Sequence, residues 1–149
     1  MAGPYAPDAT MLGNIIHQIA ITVQAQIPSI SFVYEDYPDR APGDNTVILP
    51  LSKFKVLDDT NGKLKVAFTI AARHLFRRRA MSDNIKQAYT YINPWMLCIS
   101  AWPNQTLGGY AMEMTIKEGG VQQVAEAGQA MVALVVTFEV VAEFNIPTS

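Results

Sequence analysis

The feature that most limits how this chain can fold is a two-residue alternation running from Leu64 to Phe76. Leu64, Val66, Phe68, Ile70, Ala72, His74 and Phe76 fall on one side, and Lys63, Lys65, Thr69 and Arg73 on the other. Successive side chains of an extended strand point to opposite faces, so this pattern predicts a long strand buried on one face. Asn61-Gly62 directly before it is a strong hairpin signal and pairs it with the run SKFKVLDD. That hairpin is long enough to project beyond the body of a domain. A second such run, MVALVVTFEVVAEF, puts Val132, Leu134, Val136, Phe138, Val140, Ala142 and Phe144 on one face.

The remaining elements follow from punctuation and periodicity. Residues 1–7 contain Gly3, Pro4 and Pro7 and read as an irregular arm. Asp8 or Thr10 can cap a helix whose stripe is Leu12, Ile15, Ile16, Ile19, Val23 and Ile27, and Pro28 stops it. SISFVYED and TVILP read as short strands separated by the turn-rich YPDRAPGDN. A further helix starts near Ser82 as N-cap, with Asp83 in its first turn and Ile85, Tyr89 and Ile92 as its stripe. Asn93-Pro94 breaks or restarts it, and Trp95, Met96 and Ile99 continue the apolar side. YAMEMTIKE reads as a strand ended by Gly119-Gly120, and VQQVAEAGQAM fits either state. The order is α-β-β-β-α-β-β, with one extra strand possible. That is one α+β domain over residues 1–149, with two helices on one face of a mainly antiparallel sheet.

Half of the 149 residues are hydrophobic and 16% are charged, which excludes disorder for the chain as a whole and leans toward oligomerisation. No run of 18 or more apolar residues predicts a membrane span, and the first ten residues do not read as a signal peptide. The single Cys98 excludes an internal disulfide and a cysteine metal cage, and fits synthesis in a reducing compartment. Charge is unevenly spread. Between residues 53 and 79, Lys53, Lys55, Lys63, Lys65, Arg73, Arg77, Arg78 and Arg79 face only Asp58 and Asp59. From residue 111 on, Lys117 stands against Glu113, Glu118, Glu126, Glu139 and Glu143. Such a split suits a basic face for nucleic acid. It equally suits complementary faces that meet between copies.

Catalytic chemistry is not spelled out. His17 and His74 lack ligand-spaced partners, and Cys98 sits among apolar neighbours without a base. No glycine-rich phosphate loop opens a helix, and LGGY precedes a strand. Asp58-Asp59 abuts a turn, and Glu35, Asp36 and Asp39 form only a loose acidic cluster in a Pro-rich loop. No catalytic, cofactor or metal set is expected. The run RHLFRRR at residues 73–79 keeps three readings: a phosphate contact, a solvated strand end, or a bidentate contact to carboxylates on a neighbouring copy.

An apolar N-terminal helix comes first, then short strands and a Pro-rich loop. A long strand ends in RHLFRRR, a helix is interrupted by NPW, LGG makes a turn, and a final strand carries V-x-F-x-V. This succession resembles the tail terminator and neck proteins of long-tailed bacteriophages, the small subunits that join head to tail. The resemblance spans most of residues 8–146 and lies in element order, length and these short phrases. It implies a structural virion protein that is not an enzyme. Copies would form a ring, commonly of six, that caps the tail tube and docks the head connector, with DNA passing through the lumen as non-specific cargo. Its partners would be itself, the tail-tube protein and the connector or neck proteins, with no membrane. It would assemble in the bacterial host cytoplasm and reside in the virion. The relatives divide in function, so a tail-tube or other tail subunit is the alternative. From another class, the alternative is a nucleic-acid-binding module using the 73–79 arginines.

Overall fold

The computed structural model describes residues 10–36, 38, 42–77, 80–126 and 129–145. The N-terminal arm, the cap at Asp8, and Asp39, Arg78 and Arg79 lie outside them. The two alternating runs form the centre of a sheet. Strand β4, Lys63–Phe76, and strand β6, Gln129–Asn145, pair antiparallel along the whole of β4, from Lys63 opposite Asn145 to Phe76 opposite Val132. Register therefore stacks one apolar face on the other: Ile70 against Phe138, Phe68 against Val140, Ala72 against Val136.

Helices cover that face. Helix α1, Thr10–Gln26, buries Ile15, Ile19 and Val23 of its stripe, together with Ala20. It ends before Pro28, whose ring bars αR geometry at Ile27 from continuing freely. Helix α2, Met81–Thr90, lies on β4 and β6, and helix α3, Ile92–Ser100, buries Trp95, Cys98 and Ile99. Two helices were expected where the described residues form three α-helices. The joint is Tyr91, which is both the last residue capping α2 and the first capping α3. Pro94 falls in the first turn of α3, where its missing N–H costs nothing. Met81 already starts α2 and Ala80 precedes it, so Ser82 does not serve as cap.

The described residues form a sheet of six strands, the five of the expected order plus the extra one, and a single parallel pair makes it mixed. Strands β1, Phe32–Tyr34, and β2, Thr46–Ile48, run parallel, and β2 lies antiparallel to residues 73–75 of β4. Strand β3, Leu51–Thr60, continues that edge along residues 63–70 of β4. Pro50 lies between β2 and β3, at a break in the ladder where a proline is tolerated. Strand β5, Glu113–Glu126, pairs with β6 and forms the other edge. The order is β1-β2-β4-β6-β5, with β3 beside β4. The expected break at Gly119-Gly120 is absent. β5 runs through both glycines, and the irregularity is a bulge between Ile116 and Glu118. A Cβ on Gly119 would stand 2.8 Å from the Val135 carbonyl oxygen, so glycine there serves close strand approach rather than a turn.

Candidate functional site

Three regions carry features that packing alone does not use: a buried polar cluster, the β3–β4 hairpin, and the β5 edge with the helices above it.

His74, wholly buried on the inner face of β4, anchors the polar cluster. The Trp95 indole N–H donates to its Nδ1 at 3.1 Å, so Nδ1 is an acceptor and the ring proton sits on Nε2. Nε2–H then donates to Asn45 Oδ1 at 2.6 Å. The Asn45 amide donates onward to the Ser29 carbonyl at 2.8 Å and to the Tyr91 hydroxyl at 3.1 Å. Tyr91 completes the chain with Ser29 Oγ at 2.9 Å. Asn45 holds φ at 57°, a left-handed value that asparagine tolerates. Burial holds the His74 pKa down at about 3, against a smaller opposing pull from Asp44. Both ring nitrogens are engaged, so the cluster fastens β4, the 43–46 turn, the α2–α3 joint and the α1–β1 connection. It is not arranged to move a proton. Cys98 is likewise inert, its thiol pushed up to about 11 by burial. His17, exposed on α1, pairs with Glu35 at 2.9 Å. Among the described residues no three His, Cys, Asp or Glu side chains gather as a metal-holding group. No helix among them is long and apolar enough to cross a membrane.

The hairpin is built as its turn demands. Asn61 and Gly62 both take positive φ, 55° and 73°, the pair of values a type I′ turn requires. Every residue of β3 from Ser52 to Thr60 is exposed. Its outer side carries Lys53 and Lys55, in register with Thr69 and Ala67 of β4. Its inner side carries Phe54 and Val56, in register with the buried Phe68 and Val66. Phe54 is nonetheless 64% exposed, and Val56 and Leu57 are also open to solvent. The apolar face of the sheet thus runs out onto an edge strand that no helix among the described residues covers.

The basic candidates do not form one cluster. Lys53, Lys55, Lys63 and Lys65 gather at the hairpin end of β4. Arg73 lies in register with Ile48 and Val135 near the other end. The backbone N–H of Arg77, just past the strand, donates to Asp44 at 3.0 Å. At about 3.4 Å per residue, some 40 Å of chain separates Lys65 from Arg77. The acidic candidates share the outer face with the lysines. Glu143 lies opposite Lys65, which in turn lies opposite Asp58, and Glu139 lies between Thr69 and Thr115. Glu113 and Glu118 are exposed on β5 at the far edge. Glu126 ends β5, and its side chain lies outside the description.

Above the β5 edge the helices leave a groove of about 480 Å³, lined by Tyr89, Ile92, Trp95 and Met96 on one side and by Ile116 to Val121 on the other. Tyr89 and Ile92 were expected to continue the buried stripe of α2. The buried face of α2 is instead Asn84 and Ala88, followed by Tyr91, which leaves Tyr89 and Ile92, with Met96, open to solvent. The apolar spacing missed this face because one of its members, Asn84, is polar.

No family model matches this chain, and neither does any curated protein.

Proposed function

We propose that this chain is a structural subunit of a long-tailed phage particle, a tail terminator or neck protein. It closes into a homo-oligomeric ring, six copies in the family it resembles, between tail tube and head connector, and DNA passes through the lumen. The particle context rests on the resemblance in element order. The assembling role rests on one observation: among the described residues nothing covers the edge strand β3, which exposes Phe54, Val56 and Leu57 beside buried neighbours. A chain that ends its function as a monomer normally blunts such an edge or covers it.

Light scattering over a concentration series, with negative-stain images of the same samples, should show closed rings. Added to growing tail tubes, the protein should stop their extension. A strict monomer that also fails to form rings on tubes overturns the proposal. Filament growth would assign a tail-tube subunit instead. Duplex binding that weakens steeply with salt, without assembly, would assign a nucleic-acid-binding module.

A further inference from the structure

We infer that Asn61, at the tip of the β3–β4 hairpin, is a site of spontaneous deamidation, and that its isoaspartate product releases β3 from the sheet. The modification stands on the hairpin alone. Its effect on assembly rests on the function proposed above.

The sequence singles out this asparagine. Of the seven in the chain only Asn61 precedes a glycine; the others precede isoleucine, threonine, proline or glutamine. Deamidation begins when the backbone nitrogen of the following residue attacks the asparagine side chain. A β-branched or long side chain crowds that nitrogen, and a proline nitrogen has no proton to lose. Gly62 presents neither obstacle. Structure separates Asn61 further. The Asn45 amide donates to the Ser29 carbonyl and the Tyr91 hydroxyl, the Asn104 amide donates to the Cys98 carbonyl, and Asn84 is buried. Asn61 is exposed, and among the described residues no hydrogen bond holds its side chain.

In the reaction the Gly62 nitrogen forms a bond to Asn61 Cγ, the Cγ–Nδ2 bond breaks, and the Gly62 proton departs with Nδ2 as ammonia. The product is a cyclic succinimide, which one solvent water opens. Water attack at Cγ gives aspartate. Attack at the main-chain carbonyl carbon gives isoaspartate, in which the chain runs through Cβ and Cγ. Nothing is oxidised or reduced.

The folded turn withholds this reaction. Asn61 has φ at 55°, and a type I′ turn sets its ψ at about 30°. That rotation points the Gly62 nitrogen away from the Asn61 side chain, so attack requires the tip to open. Opening is local, because among the described residues β3 pairs with β4 alone and Ser52 to Thr60 are all exposed. Isoaspartate adds one atom to the backbone, which a two-residue turn cannot absorb in register. β4 stays held by β6 through Lys63–Asn145 and Leu64–Phe144. The loss therefore falls on Thr60–Lys63, Asp59–Leu64 and Asp58–Lys65, and then along β3.

The test incubates the purified protein in mildly alkaline buffer, folded and in urea, and maps its peptides by mass spectrometry. Asn61 should convert ahead of every other asparagine, and at least about tenfold faster in urea. Asn61→Gly, which keeps a residue at ease with positive φ, should fold and gain no acid at the tip. Conversion first at another asparagine, or none at Asn61, overturns the site. Equal rates with and without urea overturn the protection by the turn. The isoaspartate form, separated from fresh protein by its added negative charge, should lose amide protection along β3 and keep it along β4 and β6. Unchanged protection along β3 overturns the release. The same form should need a higher concentration to assemble. If it has lost β3 protection and assembles as well as fresh protein, β3 is not the assembling edge, and Asn61 stands as the site. Fresh protein that stays monomeric and still converts at Asn61 overturns the assembling role alone.

Discussion

Acidification should destabilise this protein through His74. The unfolded chain protonates His74 at the ordinary value of 6.5, whereas burial holds the folded value at about 3. Between those values the unfolded state binds more protons than the folded one, so stability falls as pH falls. The contribution is fully present above pH 6.5 and is lost progressively down to pH 3. A shift of one unit corresponds to about 1.4 kcal/mol, so lowering pH from 7 to 5 should cost about 2 kcal/mol. That is a large part of the roughly 5–15 kcal/mol by which a domain is stable. The charged ring would also donate from Nδ1 and so confront the Trp95 N–H with another donor.

Other groups titrate in the same range, so the decisive comparison is with His74→Gln. The variant has its own pH-independent offset from lost packing and hydrogen bonds. What identifies His74 is the difference in slope. Urea unfolding followed by tryptophan fluorescence, at concentrations where the assembly state is unchanged, should show wild type losing about 2 kcal/mol more than the variant between pH 7 and 5. The His74 ring resonance should stay that of a neutral imidazole down to pH 4.5. Parallel stability curves for the two proteins, or a His74 resonance that titrates near pH 6.5, would refute the reasoning.

Two core positions test the sheet. Phe138→Ala removes a wholly buried ring between Ile70 and Ile116 and should destabilise the subunit by about 3–5 kcal/mol in denaturant titration; under 1 kcal/mol would mean the faces of β6 are reversed. Gly119→Ala forces a Cβ toward the Val135 carbonyl and should cost about 1–3 kcal/mol, with faster amide exchange along β5; an unchanged melting temperature would show that the strand yields at no cost.

The strands that carry the core were legible because their pattern is long. Thirteen residues of alternation mark the face that carries the main core, and the Asn61-Gly62 turn fixes the partner; the pattern did not show that Leu75, with Ile48, Met131 and Ala133, is buried on the opposite face. Strands β1 and β2 have three residues each and pair parallel. Their pairing is decided by what they pack against, which no local pattern encodes. Gly119-Gly120 misled because glycine marks both turns and close strand contacts, and only the neighbouring carbonyl distinguishes them. The charges were legible as an uneven distribution along the chain but not as places. Periodicity puts Lys65 and Arg73 on the same side of β4, yet only the register shows Lys65 lying between Asp58 and Glu143 while Arg73 stands beside Ile48 and Val135. Nor did the buried network show itself, since Asn45 and Ser29 look like ordinary turn residues until His74 is placed beside them.

The lysines of β3 admit an objection to the assembly reading, because lysine on an edge strand is a common device against association. Two facts limit that objection. A strand protected only for solubility has no reason to alternate its lysines with Phe54 and Val56, and these stand exposed on the opposite side of the same residues' backbone. Protection by charge is also selective. Lysines repel another lysine and attract carboxylates, and the outer side of β3 carries both, Lys53 and Lys55 with Asp58. An identical edge can therefore meet β3 antiparallel with lysine against aspartate, so charge by itself favours neither a two-fold contact, in which identical edges meet, nor a heterologous one, in which unlike edges meet. Heterologous contacts generate rings when the rotation closes and open filaments when it does not. On the proposed reading the ring is heterologous, and what the β3 edge contributes to it is apolar surface at Phe54, Val56 and Leu57.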